Sequence, residues 1–290
     1  MKFSIIIPTY NDWERLLKCL KALEKQTLAK GRYEVIVVDN SKTGKVPDRI
    51  SLPDWVQFVH EPEPGSYSAR NKGADKAIGE VLAFTDSDCV PDKHWLAKAE
   101  ARFDTSTCDL LGGKVKIFQN EEGNKYGFLY ERVTAFPQHK NVPKGKGVTA
   151  NLFIKKSVFD TVGGFRSTLK SGGDWEFTLR CTQKGYEMIY CEEVLVWHPA
   201  RTLPAILKKQ KRMACGGAAD IKERYGHSYL RILGSHLIHV PNYKRENMPE
   251  ELSRSEKIII YAIDTLKYFY RIVLFSGMMF RFIDPNRVRE

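Results

Sequence analysis

Three short apolar runs constrain this chain more than anything else: Phe3-Ser4-Ile5-Ile6-Ile7, Tyr33-Glu34-Val35-Ile36-Val37-Val38 and Val81-Leu82-Ala83-Phe84. Each reads as a buried strand, and each stops at a polar cluster: Pro8-Thr9-Tyr10, Asp39-Asn40-Ser41 and Thr85-Asp86-Ser87-Asp88. Helical patterns lie between them. Asn11 or Asp12 caps a helix to about residue 26, with Trp13, Leu16, Leu17, Leu20 and Leu23 on one face. A short strand near residues 55–59 precedes a second helix, capped by Ser66 and reaching about residue 78. This β-α-β-β-α-β order predicts a doubly wound α/β sheet with right-handed crossovers.

In such sheets ligands sit at the carboxyl ends of the strands. Thr9, Tyr10, Asp39, Asp86 and Asp88 fall at those ends, and Arg70 falls early in the second helix, so these groups converge on one crevice. Asp86 and Asp88 repel each other at that spacing, and a divalent cation is the usual remedy. Hard cations such as Mg²⁺ or Mn²⁺ take carboxylate oxygens and complete their shell with substrate phosphates. Each residue alone also reads as a cap, a turn or a surface ion pair; their joint location favours a metal–diphosphate site. No Gly-x-Gly-x-x-Gly follows the first strand and no Gly-x-x-x-x-Gly-Lys-Ser/Thr is present, which argues against a dinucleotide-binding dehydrogenase and a P-loop NTPase.

Farther along, Pro91 opens a helix to about residue 103, and a strand follows near residues 110–118. Residues 119–148 carry no clear pattern and read as a partly mobile segment near the site. A strand at residues 151–154, a helix at 156–162 closed by Gly163-Gly164, a helix at 174–184 and strand pieces near 187–190 and 194–197 complete the α/β part. From Thr202 the pattern is mostly helical, with a break around residues 234–248.

The motifs together resemble inverting family 2 glycosyltransferases of the GT-A fold, a Rossmann-like, nucleotide-diphospho-sugar transferase fold. The matching segments are Ser4-Ile5-Ile6-Ile7-Pro8-Thr9-Tyr10-Asn11, Val37-Val38-Asp39, Gly65-Ser66-Tyr67-Ser68-Ala69-Arg70-Asn71-Lys72-Gly73 and Phe84-Thr85-Asp86-Ser87-Asp88. Thr149-Ala150-Asn151, Gly163-Gly164-Phe165 and Gly172-Gly173-Asp174-Trp175-Glu176-Phe177-Thr178-Leu179-Arg180 follow in the family's order. The resemblance implies a mixed α/β sheet flanked by helices over residues 1–200 and a helical, basic C-terminal extension over residues 201–290. It implies that Pro8, Thr9, Tyr10, Asp39, Arg70, Asp86 and Ser87 bind the nucleotide-sugar, and that Asp88 holds Mn²⁺ or Mg²⁺. By the same resemblance His198, in Trp197-His198-Pro199, would be a further ligand that suits Mn²⁺ better than Mg²⁺; it also reads as a histidine capping a strand end. Asp174 becomes the general base, with Asn151, Gly173, Trp175 and Glu176 on the acceptor or donor-sugar side. Where many members carry Glu-Asp, this chain has Gly173-Asp174, so acceptor contacts made by that Glu are not carried over. A helix N-terminus lowers a carboxylate's pKa and opposes the proposed base role.

The expected activity is transfer of a single sugar, from a UDP-sugar by preference, to a glycan or lipid-linked acceptor in surface polysaccharide or glycoconjugate biosynthesis. Gln210-Lys211-Arg212-Met213 lacks the Gln-x-x-Arg-Trp spacing of polymerising relatives. Two alternatives stand beside this reading. A haloacid-dehalogenase-type phosphatase or phosphotransferase also carries Asp-x-Asp after a strand, but followed by Gly-Thr rather than Cys89-Val90. A catalytically inactive nucleotide-sugar-binding, membrane-associated protein is the other.

The charge balance is uneven. The chain carries 46 Lys and Arg against 35 Asp and Glu, and residues 201–290 hold 17 basic against 9 acidic. An anionic membrane surface and a homodimer contact are both candidate partners for this region, and no nucleic acid is expected. Residues 258–282 are rich in Ile, Leu, Phe, Tyr and Met but contain Asp264, Lys267 and Arg271. Each such charge costs roughly 2.5–3.5 kcal/mol at mid-bilayer, so an interfacial or packed amphipathic helix is expected rather than a span. The six cysteines show no paired or zinc-type spacing and read as small apolar residues in a reducing compartment. With the first strand beginning at Phe3, the expectation is a cytoplasmic protein, peripheral on the inner membrane's cytoplasmic face.

Overall fold

A computed structural model of the protein describes residues 1–119, 124–226, 228–238 and 248–284. The first of two compact units comprises Met1–Lys116, Phe136–Thr168 and Gly173–His198. It is built on an eight-stranded mixed sheet of order β3-β2-β1-β4-β7-β6-β8-β5. Strands β1 (Phe3–Thr9), β2 (Tyr33–Asp39), β3 (Val56–His60) and β4 (Val81–Phe84) run parallel. Every residue of β1 is buried, as a central parallel strand covered on both faces requires. Beyond β4 the direction reverses: β7 (Leu152–Lys155) is antiparallel to β4, and β6 (Leu110–Phe118) is antiparallel to β7. At the far edge the short β5 (Val90–Pro91) pairs antiparallel with β8 (Met188–Pro199).

Helix α1 (Trp13–Glu24) buries Trp13, Leu16, Leu20 and Leu23 as its spacing predicts, with Cys19 rather than half-buried Leu17 as the fifth residue, and these join the sheet's main apolar core with Ile5, Val37 and Phe153. Helix α2 (Ser66–Lys76) lies close against β1. A Cβ on Gly73 would come within 2.5 Å of the Ile6 side chain, so only glycine permits that approach. The N-cap of α2 is Gly65, not Ser66, because the chain enters the helix through φ 133°, a conformation that L side chains rarely adopt. After α3 (Trp95–Thr105), the patternless stretch proves helical: α4 (Lys125–Thr134) is capped by Asn124, which accepts from the Gly127 N–H, and α5 (Gln138–Asn141) is a single turn. Helix α6 (Lys156–Val162) ends at left-handed Gly163, and α7 (Gly173–Gln183) follows. The two predicted strand pieces near residues 190 and 195 are one strand, β8; exposed Glu192 and Glu193 interrupt its apolar pattern without interrupting the strand.

The second unit comprises Ile117–Ala135, Leu169–Gly172 and Pro199–Glu290, so it takes in α4 as well as the C-terminal region. Helices α8 (Leu203–Tyr225), α9 (Tyr229–Ile238) and α10 (Arg254–Met279) dominate it. Gly234 lies inside α9 rather than in the predicted break, the rest of which (residues 239–247) falls outside the described residues. Helix α10 starts four residues before the predicted apolar stretch, where Ser253 and Glu256 form a reciprocal capping box. No helix among the described residues is long and apolar enough to cross a membrane. All six cysteines are buried free thiols.

Candidate active site

The parallel register aligns the ends of three strands. Thr9 pairs with Asp39, and Phe84 pairs with Ile6, so the chain leaves β4 for residues 85–88 beside the end of β1. Pro8 and Thr9 are buried and Tyr10 is exposed. Asp39 is fully buried, and its two oxygens accept from the Ser41 N–H at 3.0 Å and the Ser41 hydroxyl at 2.7 Å. Next to it, Asn40 braces the following loop. Its amide donates to the Glu61 and Glu63 carbonyls at 2.8 and 2.7 Å and accepts from the Gly65 N–H at 2.7 Å. That brace sets the start of α2, and hence Arg70.

Arg70 is a buried cation, 4% exposed, which requires an anionic partner. Asp86 supplies it, accepting from Nη2 at 2.5 Å, while Nη1 donates to the Ser66 carbonyl at 3.3 Å. The Arg70 Nε and the Thr9 Oγ1 are buried with no hydrogen-bond partner among the described residues. Buried polar groups are rarely left so, and these two, one at the end of β1 and one on α2, are candidates for bonding to a polar ligand. Ser87 is buried within the same segment.

Asp88 meets His198 across the sheet edge. The β5–β8 register sets Val90 opposite Trp197, and antiparallel continuation brings the preceding residues against His198. His198 Nε2 lies 3.4 Å from Asp88 Oδ2, and its ring, almost wholly buried, packs on Phe136 with centroids 4.8 Å apart. Ligand atoms of Asp88, Cys89 and His198 all lie within 4.8 Å of one another. A carboxylate and an imidazole fit Mn²⁺ well and Mg²⁺ less well, whereas the thiol is soft and Cys89 belongs to the apolar core. Asp88 and His198 are therefore the pair fitted to hold a hard divalent cation.

Asp174 occupies the first turn of α7, half-buried. The Trp175 N–H donates to its Oδ1 at 3.0 Å, and the Tyr67 hydroxyl lies 3.4 Å from the same oxygen. That hydroxyl also accepts from the Gly173 N–H at 2.8 Å. The Tyr67 ring covers Gly173 so closely that a Cβ there would lie 2.6 Å from it. Gly173 is thus the complement of Tyr67 from α2. Burial raises the Asp174 pKa from its ordinary value, outweighing the downward pull of Arg70 and the Trp175 amide. The helix N-terminus was expected to lower it; desolvation is the larger effect. Asp86 adds to the rise, so Arg70, Asp86 and Asp174 share one electrostatic neighbourhood.

Of the remaining sequence-derived candidates, Trp175 is exposed beside the carboxylate, with Lys146 Nζ 5.2 Å from its ring centroid. Asn151 and Glu176 serve the scaffold. The fully buried Asn151 amide donates to the Lys114 and Val194 carbonyls, each at 2.8 Å, and accepts from Trp95 Nε1 at 2.9 Å. Glu176 pairs with Arg166 at 3.1 Å and Arg180 at 3.0 Å. Sequence reasoning missed Asn40, Ser41 and Tyr67 as site-forming residues. Tyr67 had one signal, its position three residues before Arg70, on the same side of a helix.

Comparison with known proteins supplies the family and the fold. Residues 4–171 match the model of "Glycosyl transferase family 2". The chain is 37% identical over 219 residues to "Glycosyltransferase AglE" of Haloferax volcanii, covering 73% of this chain and 72% of that protein. Among solved structures it is similar to the mannosyltransferase PcManGT from Pyrobaculum calidifontis in complex with GDP-Man and Mn²⁺, at TM-score 0.54 and 17% identity, covering 95% of this chain and 73% of the other. It is also similar to S. aureus TarS 1–349 in complex with UDP, at TM-score 0.52 and 20% identity, covering 96% and 91% respectively. At those identities the two structures establish a shared GT-A fold. The family match spans more than half the chain and carries the strand ends, Arg70 and the Asp86–Asp88 segment, and the chain is accordingly a glycosyltransferase belonging to family 2.

Proposed function

We propose that the protein transfers one sugar, with inversion, from a nucleotide-diphosphate sugar to the hydroxyl of a glycan or lipid-linked acceptor. The observation that carries this reading is the joint neighbourhood of Arg70, Asp86 and Asp174 beside aligned strand ends, with the Asp88–His198 pair in the same unit. Thr9, Asp39 and Arg70 would hold the nucleotide; the orphaned Thr9 Oγ1 and Arg70 Nε are suited to its oxygens. The solved relatives are described with GDP-Man and Mn²⁺, UDP and UDP-GlcNAc, which supports a donor of this class and favours a UDP- over a dTDP-sugar.

In an inverting transfer the acceptor oxygen attacks the anomeric carbon opposite the leaving diphosphate, and one base takes its proton. Asp174 is suited to that task, since its raised pKa makes the ionised carboxylate a stronger base than a solvated aspartate. Arg70 balances negative charge beside it, and the Trp175 amide fixes the orientation of Oδ1. Exposed Trp175 offers an apolar ring for the acceptor sugar. A divalent cation held by Asp88 and His198 would neutralise charge on the departing diphosphate. Pairing with Arg70 leaves Asp86 poorly suited to nucleophilic attack, which disfavours the phosphotransferase alternative. The basic C-terminal region is in keeping with work at the cytoplasmic face of a membrane, in surface polysaccharide or glycoconjugate assembly.

A panel of UDP-, GDP- and dTDP-sugars, read by release of nucleoside diphosphate with Mn²⁺ and with EDTA, tests this reading. Release from one donor class, dependent on the cation and stimulated by acceptor, is expected. Donor binding with no release under any condition would instead favour an inactive binding protein.

A further inference from the structure

Helix α10 buries Ile260, Ile263, Leu274, Phe275 and Met278 in the unit's apolar clusters, yet also turns its charged residues inward and leaves an apolar stripe outside. Asp264, Lys267 and Arg271 recur at helical spacing on one side, and all three point toward other helices of the same unit. Tyr130 of α4 donates to Asp264, Lys267 donates to the Tyr130 hydroxyl, and Arg271 Nη2 donates to Gln210 of α8 at 3.3 Å. The opposite side carries Ile258, Ala262, Leu266, Phe269, Val273 and Phe280, spaced three, four or seven apart and all exposed. Ile258, Phe269, Val273 and Phe280 are each about 60% exposed or more, and Phe282 just beyond is 86% exposed. At 1.5 Å per residue this uncharged stripe runs about 33 Å. A helix that faces water carries polar residues on its outer side, and an exposed apolar stripe of this length marks a contact surface.

Charge identifies the partner. The stripe is bordered by exposed Arg254 in the first turn and exposed Arg281 after the last. Of the carboxylates of α10, Glu256 is held in the capping box and Asp264 by Tyr130, so no acid lies on the outer face. A second copy laid along the stripe about a two-fold axis would oppose arginine to arginine in either direction; the exposed acids nearest its ends, Glu250, Glu251 and Asp284, lie outside the helix. An anionic lipid surface meets every feature: acyl chains for the apolar stripe and phosphates for the arginines at its ends. Helix α9, which packs with α10 in one apolar cluster, adds exposed Leu230, Arg231 and Leu237. We propose that α10 is a lipid-docking helix that lies flat on an anionic membrane, its Ile258–Phe280 face at the acyl boundary. This deepens the membrane-facing reading above and does not depend on Asp174 or the cation site.

The test is sedimentation of the full chain with vesicles of phosphatidylcholine alone and of phosphatidylcholine mixed with phosphatidylglycerol, which needs no turnover. Binding to the mixed vesicles is expected, with about a tenfold or greater loss in the Leu266→Glu, Phe269→Glu double variant. Arg254→Glu with Arg281→Glu, away from the buried network, should lose the anionic preference and retain the same melting temperature; this pair decides the matter if the first variant misfolds. Absence of binding by the wild-type chain, or equal binding by the variants, overturns the proposal. So does a chain that ignores vesicles but forms dimers in gel filtration that the double variant dissociates, since the stripe would then be a contact between copies.

Discussion

The two units handle charge in opposite ways. In the sheet unit, Asp39, Asp86 and Asp88 stand at or just past the ends of apolar strands, with Arg70 supplied by α2 and Asp174 by α7, beside a core containing Ile5, Val37 and Phe153. In the helical unit, Asp264, Lys267, Arg271 and Glu131 are turned inward beside an apolar core, while Ile258, Leu266 and Phe269 are left outside. Buried charge survives only with partners, and both units supply them: Asp86 for Arg70 in one, Tyr130 and Gln210 in the other. The contrast lies in purpose. On the readings proposed above, the first arrangement would concentrate polarity where a polar substrate binds, and the second would clear polarity from a face that meets something apolar.

The sharpest way to break the comparison is to remove one acid from the catalytic edge. Asp174→Asn is isosteric and keeps the Trp175 contact, so donor affinity should stay within about threefold while kcat falls by about 10²–10⁴, the range for loss of a general base. Stopped assays of transfer and calorimetric donor titration separate the two quantities; unchanged kcat would remove Asp174 from the chemistry. Asp88→Ala should follow, weakening Mn²⁺-dependent donor binding by about ten- to a hundredfold while leaving cation-free binding unchanged. Gly173→Ala comes next: the new methyl collides with the Tyr67 ring, costing about 1–3 kcal/mol and displacing the base, visible as a lower Tm together with a lower kcat.

A pH profile sharpens the same comparison without mutation. Asp174 must be ionised to act, and its pKa is raised by burial, so kcat/KM should fall on acidification at a pH above that for an ordinary aspartate. An acid limb at the value of a solvated carboxylate would contradict the geometry. In the helical unit the smallest effect is expected from Tyr130→Phe, which strips one hydroxyl from the Asp264–Lys267 pair. About 1–2 kcal/mol of stability should be lost, read as a shift in thermal unfolding, with donor affinity unaltered.

How much was legible in advance follows from what kind of contact each feature needs. Strands β1, β2 and β4 were plain because parallel strands covered on both faces yield unbroken apolar runs, and their polar ends located Thr9, Asp39 and Asp86. Helix α7 was equally plain from its spacing. Strand β8 was split in two because Glu192 and Glu193 face solvent in mid-strand. The Tyr67–Gly173 fit and the Asn40 brace were invisible, since each joins segments whose proximity only tertiary packing decides. For α10, periodicity revealed an amphipathic helix but not which side faces inward. Asp264, Lys267 and Arg271 entered as an obstacle to membrane insertion, and the fold shows them occupied with Tyr130 and Gln210.

Burial of every native thiol has a practical consequence. Cys19, Cys89, Cys108, Cys181, Cys191 and Cys215 are all enclosed, and enclosure pushes each of them away from the reactive thiolate. A single cysteine introduced at an exposed position such as Phe269 would therefore react with a maleimide fluorophore almost alone, with no need for a cysteine-free background. Emission from that one dye would report the polarity around the outer face of the helix directly.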